Sequence, residues 1–182
     1  MPVSAEDRAK LVSLARSAVG AAVKGLPLPK GEDAGGLLAE TRGCFVTLTN
    51  RGQLRGCIGT FRPDRPLGQM VVQMGAAAAR DSRFVTNPVT AGELDQLQIE
   101  VSVLSPLSET TEPEKLQVGK HGIYVVRGQW AGCFLPEVAV DMGWNAEQFL
   151  SQCCSHKAGL PPNAWRMPGT TVYLFTSEKF DH

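Results

Sequence analysis

The sequence lacks an excess of either charge, because 18 lysines and arginines balance 18 aspartates and glutamates. A net charge of zero supplies no general attraction to nucleic acid or to anionic lipid, so we expect no nucleic-acid partner. The sequence also lacks a long apolar run, and its apolar stretches fall far short of the roughly 20 residues that a membrane helix needs. These two absences predict a protein without a membrane partner.

The sequence has five cysteines, an odd number, and they follow no regular spacing. An odd number of cysteines cannot all pair in disulfides within one chain, which argues against a secreted disulfide framework. Residues 1–7 lack the basic and apolar regions of a signal peptide. We therefore expect a cytoplasmic protein.

The composition indicates a folded protein, with 43% hydrophobic and 20% charged residues. A chain of 182 residues fits one domain over residues 1–182 and is long enough to bury a sizeable core. Four predicted helical segments begin at a side chain suited to capping, namely Ser4, Asp64, Thr90 and Asn145. Two hairpins are predicted over Cys44–Phe61 and Ile123–Leu135. Because helices and hairpins intermix, we predict an α+β fold with a mainly antiparallel or mixed sheet.

The most informative segment is Leu54–Thr60, with the sequence LRGCIGT. Because alternate residues of a strand share a face, Arg55 and Cys57 are predicted to point the same way. A guanidinium beside a thiol favours the thiolate, which is the form that acts as a nucleophile. Gly56 and Gly59 indicate a bulge, or a close approach by another backbone or a ligand. In the alternative interpretation Cys57 is a small buried residue and Arg55 belongs to a structural ion pair.

Further side chains are candidates, each with a local structural alternative. Asp81 lies near a helix C-terminus, where its charge opposes the helix dipole and needs a partner. Either Asp81 pairs locally with Arg83, or one of these two residues lines a site together with Arg55. We expect Phe84, in the same segment, to be buried. His121 lies in a glycine-flanked entry to a strand, where it either serves as acid or base or makes only a turn hydrogen bond. Ligand-type residues are too scattered for a metal site, so none is predicted.

These segments resemble the AMMECR-type domain family, whose hallmark is the LRGCIGT sequence. Other matching segments follow in the expected order, at Asp81-Ser82-Arg83-Phe84, His121-Gly122, Leu135-Pro136-Glu137-Val138-Ala139, Trp144 and Lys157-Ala158-Gly159. The similarity runs from about Phe45 to the end of the chain. It implies an α+β fold with a larger lobe holding both termini, a smaller lobe and a cleft between them. It also implies ligand-binding positions at Arg55, Gly56, Gly59, Asp81, Arg83 and Glu137.

The chain is similar to the bacterial branch called AmmeMemoRadiSam system protein A, whose members occur beside a Memo-type protein and a radical-SAM protein. Two functions are open. In the first, the protein is an enzyme or catalytic subunit with a small-molecule ligand, Cys57 as nucleophile or redox thiol, and His121 as acid or base. In the second, it is a non-catalytic adaptor for those partner proteins, and the motif is structural. No cofactor is expected.

Overall fold

The structure, a computed structural model, describes residues 2–31 and 35–181. In chain order the helices are α1 (Ala5–Lys24), α2 (Leu67–Ala78), α3 (Pro136–Met142) and α4 (Ala146–His156). The strands are β1 (Cys44–Asn50), β2 (Gln53–Thr60), β3 (Leu97–Leu104), β4 (Ser108–Thr110), β5 (Gly122–Arg127), β6 (Trp130–Phe134), β7 (Thr171–Phe175) and β8 (Ser177–Asp181). Antiparallel sheets with flanking helices confirm the α+β prediction. Within the described ranges, no helix is both long and apolar enough to cross a membrane.

The chain divides into two compact units, Met1–Leu104 with Glu178–His182, and Ser105–Ser177. The larger unit therefore holds both ends of the chain, as the resemblance implies. Its sheet has the strand order β2-β1-β3-β8, so β2 lies at one edge. Helix α2 packs on β1 and β2, and α1 packs on β3 and on α2. The second unit has its own sheet, in the order β4-β7-β5-β6, and its own apolar core under α4.

The β1–β2 hairpin carries an irregularity inside the LRGCIGT segment. Leu48 lies opposite Gly56, but the next residue, Thr49, lies opposite Leu54. Arg55 is therefore the extra residue of a β-bulge, which locally bends and twists a strand. The bulge re-aims the Arg55 side chain at the point where β2 leaves the hairpin turn.

The predicted start of the second helix is wrong. Asp64 does not cap α2, because its carboxylate pairs with the neighbouring Arg65 at 3.0 Å. The N-cap is Pro66, and the N–H of Leu67 donates instead to the carbonyl of Glu40. The first turn of α2 is therefore capped by the backbone carbonyl of Glu40 and not by the side chain of Asp64.

Three elements, α3, β4 and β8, are not predicted by the sequence patterns. Helix α3 begins after Leu135, which provides no side-chain cap, so its start carries no polar signal. Strand β4 has three residues, too few for an alternating pattern to be recognised. Strand β8 lies beside β3, nearly 80 residues earlier in the chain, and owes its place to that pairing.

Candidate functional site

The free edge of β2 is closed at Cys57 by two charged side chains. The backbone N–H of Cys57 donates to Asp81 Oδ2 at 3.0 Å, and Arg83 Nη2 donates to the Cys57 carbonyl at 3.2 Å. An edge strand leaves such groups open to pairing with another chain. Here the Asp81–Arg83 pair takes the place that a neighbouring strand would occupy.

Asp81 is the buried anchor of this arrangement, with 5% of its surface exposed. Its carboxylate accepts hydrogen bonds from the Nε, Nη2 and backbone N–H of Arg83. The Arg83 side chain, and then the backbone N–H of Cys57, hold the pKa of Asp81 far below its ordinary value. The local pairing with Arg83 is therefore present, and the guanidinium in contact with Cys57 comes from Arg83.

Arg55 is almost fully buried, and its side-chain hydrogen bonds go to residues other than Cys57. Its guanidinium forms a two-point ion pair with Glu93, through Nη2–Oε1 at 2.8 Å and Nε–Oε2 at 3.2 Å. It also donates to the carbonyls of Asn87 and Pro88, both at 3.1 Å. The Arg55 side chain thus ties the segment after α2 to β2, which corresponds to the structural ion pair of the alternative interpretation.

Glu93 lies three residues after Thr90 and closes a capping box with it. Its Oε1 accepts the backbone N–H of Thr90 at 3.0 Å. It also accepts from Asn50 Nδ2 at 3.0 Å, in addition to Arg55. These donors, with Arg55 first, lower the pKa of Glu93 to about 2. A cap residue is therefore also the counter-ion of the motif arginine.

The two glycines of the motif permit close packing. A Cβ at Gly56 would lie 2.1 Å from the carbonyl oxygen of Ala78 in α2, so a helix end touches the strand there. A Cβ at Gly59 would lie 2.2 Å from the ring of Phe45 on β1. The close approach predicted at Gly56 is made by another backbone, and at Gly59 it is made by an aromatic side chain.

Cys57 is half-buried, and its Sγ lies 3.2 Å from Thr47 Oγ1 on β1. Burial raises the pKa of the Cys44 thiol to about 12 and that of Cys133 to about 11, and it also raises the pKa of Cys153 and of Cys154.

Among the described residues, no group of three or more His, Cys, Asp or Glu side chains is placed to hold a metal ion.

Phe84 contacts both Arg55 and Arg83. Its side chain is not fully buried, so the prediction of a buried Phe84 is wrong. The Arg55 guanidinium lies 5.9 Å from the centre of its ring, and the Arg83 guanidinium lies 5.7 Å from it. Phe84 is half-buried, and the Arg83 side chain is more than half exposed. A guanidinium over an aromatic ring within about 6 Å is a favourable cation–π contact.

A polar pocket of about 440 Å³ opens beside the Arg55–Glu93 pair. Its lining residues come from the β1–β2 turn and from the segment after α2, and they are Asn50, Arg51, Gln53, Arg55, Asn87, Glu93 and Gln96. Most of them were not predicted as site residues. The β1–β2 turn was interpreted only as a turn, and the amides along it carry no motif of their own.

His121 and Glu137 belong to the second unit. His121 Nδ1 accepts the backbone N–H of Gln117 at 2.9 Å, so a neutral ring carries its proton on Nε2. Burial, and then the charge of Lys120, lower the pKa of His121. This is the turn hydrogen bond of the local alternative. Glu137 lies half-buried in the first turn of α3.

A family model described as AMMECR1 matches residues 12–180 of the chain. The chain belongs to the AMMECR1 family. A relative from Methanothermobacter thermautotrophicus is 40% identical over 189 residues, which span 98% of this chain and 96% of the relative. A relative from Thermococcus gammatolerans is 43% identical over 184 residues, which span 94% of this chain and 88% of the relative. The relatives described here are archaeal members of the AMMECR1 family.

A solved AMMECR1-family structure has the same fold. The crystal structure of the uncharacterised protein PH0010 from Pyrococcus horikoshii matches this chain with a TM-score of 0.80 and 39% identity. The match covers 94% of this chain and 89% of that protein. At this identity and coverage, the AMMECR1 fold described above is shared by both proteins.

Proposed function

We propose that this AMMECR1-family protein binds a small polar ligand in the pocket beside Arg55. The observation that carries the proposal is the ion pair of Arg55 with Glu93, which is nearly buried and lines an open pocket of about 440 Å³. Ligand sites in proteins have volumes of about 300–1,000 Å³. A charge pair already fixed by four further contacts gives the pocket a polar wall that needs no rearrangement before binding.

The LRGCIGT segment has a supporting role in this function. Gly56 admits the end of α2, and the Asp81–Arg83 pair holds the edge of β2 at Cys57. These contacts position the bulge from which Arg55 projects. Gly56, Gly59, Asp81 and Arg83 would then serve the site by shaping it, while Glu137 stays a predicted ligand-binding position in the second unit.

A reactive thiol at Cys57 is the second candidate. It is favoured by the Thr47 hydroxyl at 3.2 Å from Sγ and by the exposed guanidinium of Arg83 on the adjacent carbonyl. Either Sγ or the hydroxyl oxygen can be the donor of the Thr47–Cys57 contact. Under this candidate Cys57 is the nucleophile or redox group, and His121 stays the predicted acid or base.

The protein is also proposed to act in the cytoplasm with a Memo-type protein and a radical-SAM protein, as expected from the resemblance to AmmeMemoRadiSam system protein A. The alternative is a non-catalytic adaptor, and the structural use of Gly56 and Asp81 favours it. Co-purification with each partner protein distinguishes the ligand-binding function from the adaptor function. It is done with wild type and with a variant whose pocket is blocked. An adaptor keeps its partner when the pocket is blocked and binds no small molecule.

The test of ligand binding is a thermal-shift screen with a library of small polar metabolites. Gln53 lines the pocket and is exposed, so Gln53→Trp should fill the pocket while tryptophan remains compatible with a strand. The matched control is Gln129→Trp, at the exposed turn of the β5–β6 hairpin. A ligand at 100 times its Kd stabilises the folded state by about 2.7 kcal/mol.

The expected result is a compound that raises the Tm of wild type and of Gln129→Trp but not that of Gln53→Trp. If every stabilising compound acts equally on all three proteins, the pocket is not the ligand site. If no compound stabilises wild type, the adaptor function replaces the present proposal.

A further inference from the structure

Asn50 lines the pocket, and its side-chain amide has one polar atom without a partner among the described residues. Its Nδ2 donates to Glu93 Oε2 at 3.0 Å, and because a carboxylate only accepts, this bond determines which side of the amide is oxygen. The Oδ1 atom is buried and has no hydrogen-bond partner within the described part of the chain. Buried carbonyl oxygens are normally paired, since leaving one unpaired is costly. The amide therefore requires a donor that the chain does not supply.

Arg51, next to Asn50, brings a charge to the same pocket. It is exposed, and its backbone has φ 50°, the left-handed region that non-glycine residues rarely adopt. Its guanidinium has no hydrogen-bond or ion-pair partner among the described residues. The hairpin turn thus holds an available cation at the pocket, where glycine or asparagine would suit the backbone better.

The lining charges decide which ligands the pocket favours. Arg55 and Glu93 neutralise each other through their two-point ion pair. Arg51 is then left as the uncompensated charge of the lining, so the pocket has one net positive charge. The lining also contains Gln53, Asn87 and Gln96, whose amides offer both donors and acceptors. Such a pocket attracts an anion and can also form hydrogen bonds with uncharged polar groups of a ligand.

We propose that the pocket binds a small hydroxylated anion, either a hydroxycarboxylate or a phosphorylated polyol. A hydroxyl of the ligand donates to Asn50 Oδ1, and the anionic group pairs with Arg51. This inference rests on the proposed ligand-binding function and specifies the class of ligand. It assigns Asn50 as the residue that recognises the hydroxyl and Arg51 as the residue that recognises the charge.

The test uses four probes that separate the two features. Glycerate carries hydroxyls and a carboxylate, propionate carries a carboxylate without hydroxyls, and glycerol carries hydroxyls without charge. Glycerol 3-phosphate replaces the carboxylate by a phosphate. Each is titrated into the full-length protein labelled with ¹⁵N, and the amide signals of Asn50, Gln53 and Gln96 report binding in the pocket.

We expect glycerate or glycerol 3-phosphate to bind at least about tenfold more tightly than propionate and glycerol. Propionate lacks the hydroxyl that would donate to Asn50 Oδ1, and glycerol lacks the charge that would pair with Arg51. The stronger of the two identifies the anionic group as carboxylate or phosphate. Equal affinities for glycerate and propionate would overturn the role of Asn50 Oδ1.

Two variants locate the contacts. Arg51→Asn removes the charge and keeps a residue that tolerates the left-handed backbone, and its control is Arg65→Asn, outside the pocket lining. Asn50→Leu removes the unpaired acceptor at similar size, together with the hydrogen bond from Nδ2 to Glu93. We expect each pocket variant to weaken the preferred probe by at least about tenfold, and Arg65→Asn to leave it unchanged.

The two proposals fail in different ways. If a neutral or cationic compound from the metabolite screen binds, is blocked by Gln53→Trp and is indifferent to Arg51→Asn, the anion class is overturned while the pocket remains a ligand site. If neither the probes nor any screened compound shifts the pocket amides, both proposals are overturned. An ordered water on Asn50 Oδ1 in a crystal of glycerate-soaked protein, with no glycerate beside it, would also overturn the ligand class.

Discussion

The carboxylate of Asp81 accepts the backbone N–H of Cys57 at 3.0 Å, which joins two residues that are 24 positions apart in the chain. Because Asp81 also binds the side chain and backbone N–H of Arg83, one buried carboxylate organises both the strand edge and the turn after α2. The stability and acid sensitivity of the first unit should depend on it.

The first prediction concerns Asp81→Ala. Removal of the carboxylate leaves the N–H of Cys57 and the guanidinium of Arg83 without their acceptor. We expect the free energy of unfolding to fall by about 2–3 kcal/mol. The control is Ser82→Ala, at an exposed neighbour, which should change it by less than about 0.5 kcal/mol. Equal urea midpoints for the two variants would contradict the anchoring role of Asp81.

The second prediction concerns acid. The pKa of Glu93 is lowered from 4.5 to about 2 in the folded protein, so the unfolded chain binds its proton first as the pH falls. A lowered pKa contributes stability that is complete above the unfolded value and is lost as the pH falls toward the folded value. We therefore expect the contribution of Glu93 to stability to be constant from neutral pH down to about 5 and to be lost between about 4.5 and 2.

The measurement is the free energy of unfolding from urea titrations at each pH. Glu93→Gln should lower stability at neutral pH and make the acid decline shallower. Asp95→Asn, at an exposed carboxylate of the same segment (Ala91–Gln96), should keep the decline of wild type. A Glu93→Gln variant with an unchanged decline would show that the Arg55–Glu93 pair is not a source of the acid sensitivity.

The third prediction compares two glycines. A Cβ at Gly56 would meet the backbone oxygen of Ala78 at 2.1 Å, and neither backbone can move without disturbing α2 or β2. Gly56→Ala should therefore destabilise the protein by about 3 kcal/mol or more. Gly92→Ala meets nothing within 4 Å and should be neutral or stabilise by up to about 1 kcal/mol. Similar melting temperatures for the two variants would contradict the packing assigned to Gly56.

The fourth prediction tests the thiol at Cys57. Iodoacetamide should label the half-buried Cys57 at neutral pH before Cys44 and Cys133, whose pKa values burial raises to about 12 and about 11. Arg83→Leu should slow the labelling more than Arg83→Lys, because lysine retains a positive charge near Cys57. Peptide mass spectrometry follows each cysteine. Absence of label on Cys57 until the protein unfolds would exclude it as a nucleophile.

Local sequence was sufficient for those features whose cause lies within a few residues. Helix α1 begins with the Ser4 cap and ends at Gly25, which adopts φ 67°, because capping and termination act over one turn. The β1–β2 hairpin and the capping box of Thr90 and Glu93 follow from turn and cap residues in the same way. The α+β class follows from the mixture of these elements, and the LRGCIGT segment was sufficient to indicate the family.

Tertiary structure alone decided the site, since its contacts join residues far apart in the chain. Arg55 could pair with any acidic residue, and it is the docking of residues 87–93 against the bulge that brings Glu93, 38 positions away, to its guanidinium. The orphan oxygen of Asn50 likewise exists because folding commits Nδ2 to Glu93 and buries the other side of the amide. Sequence determines which polar groups are available, whereas the long-range packing of the backbone determines which of them are satisfied and which remain for a ligand.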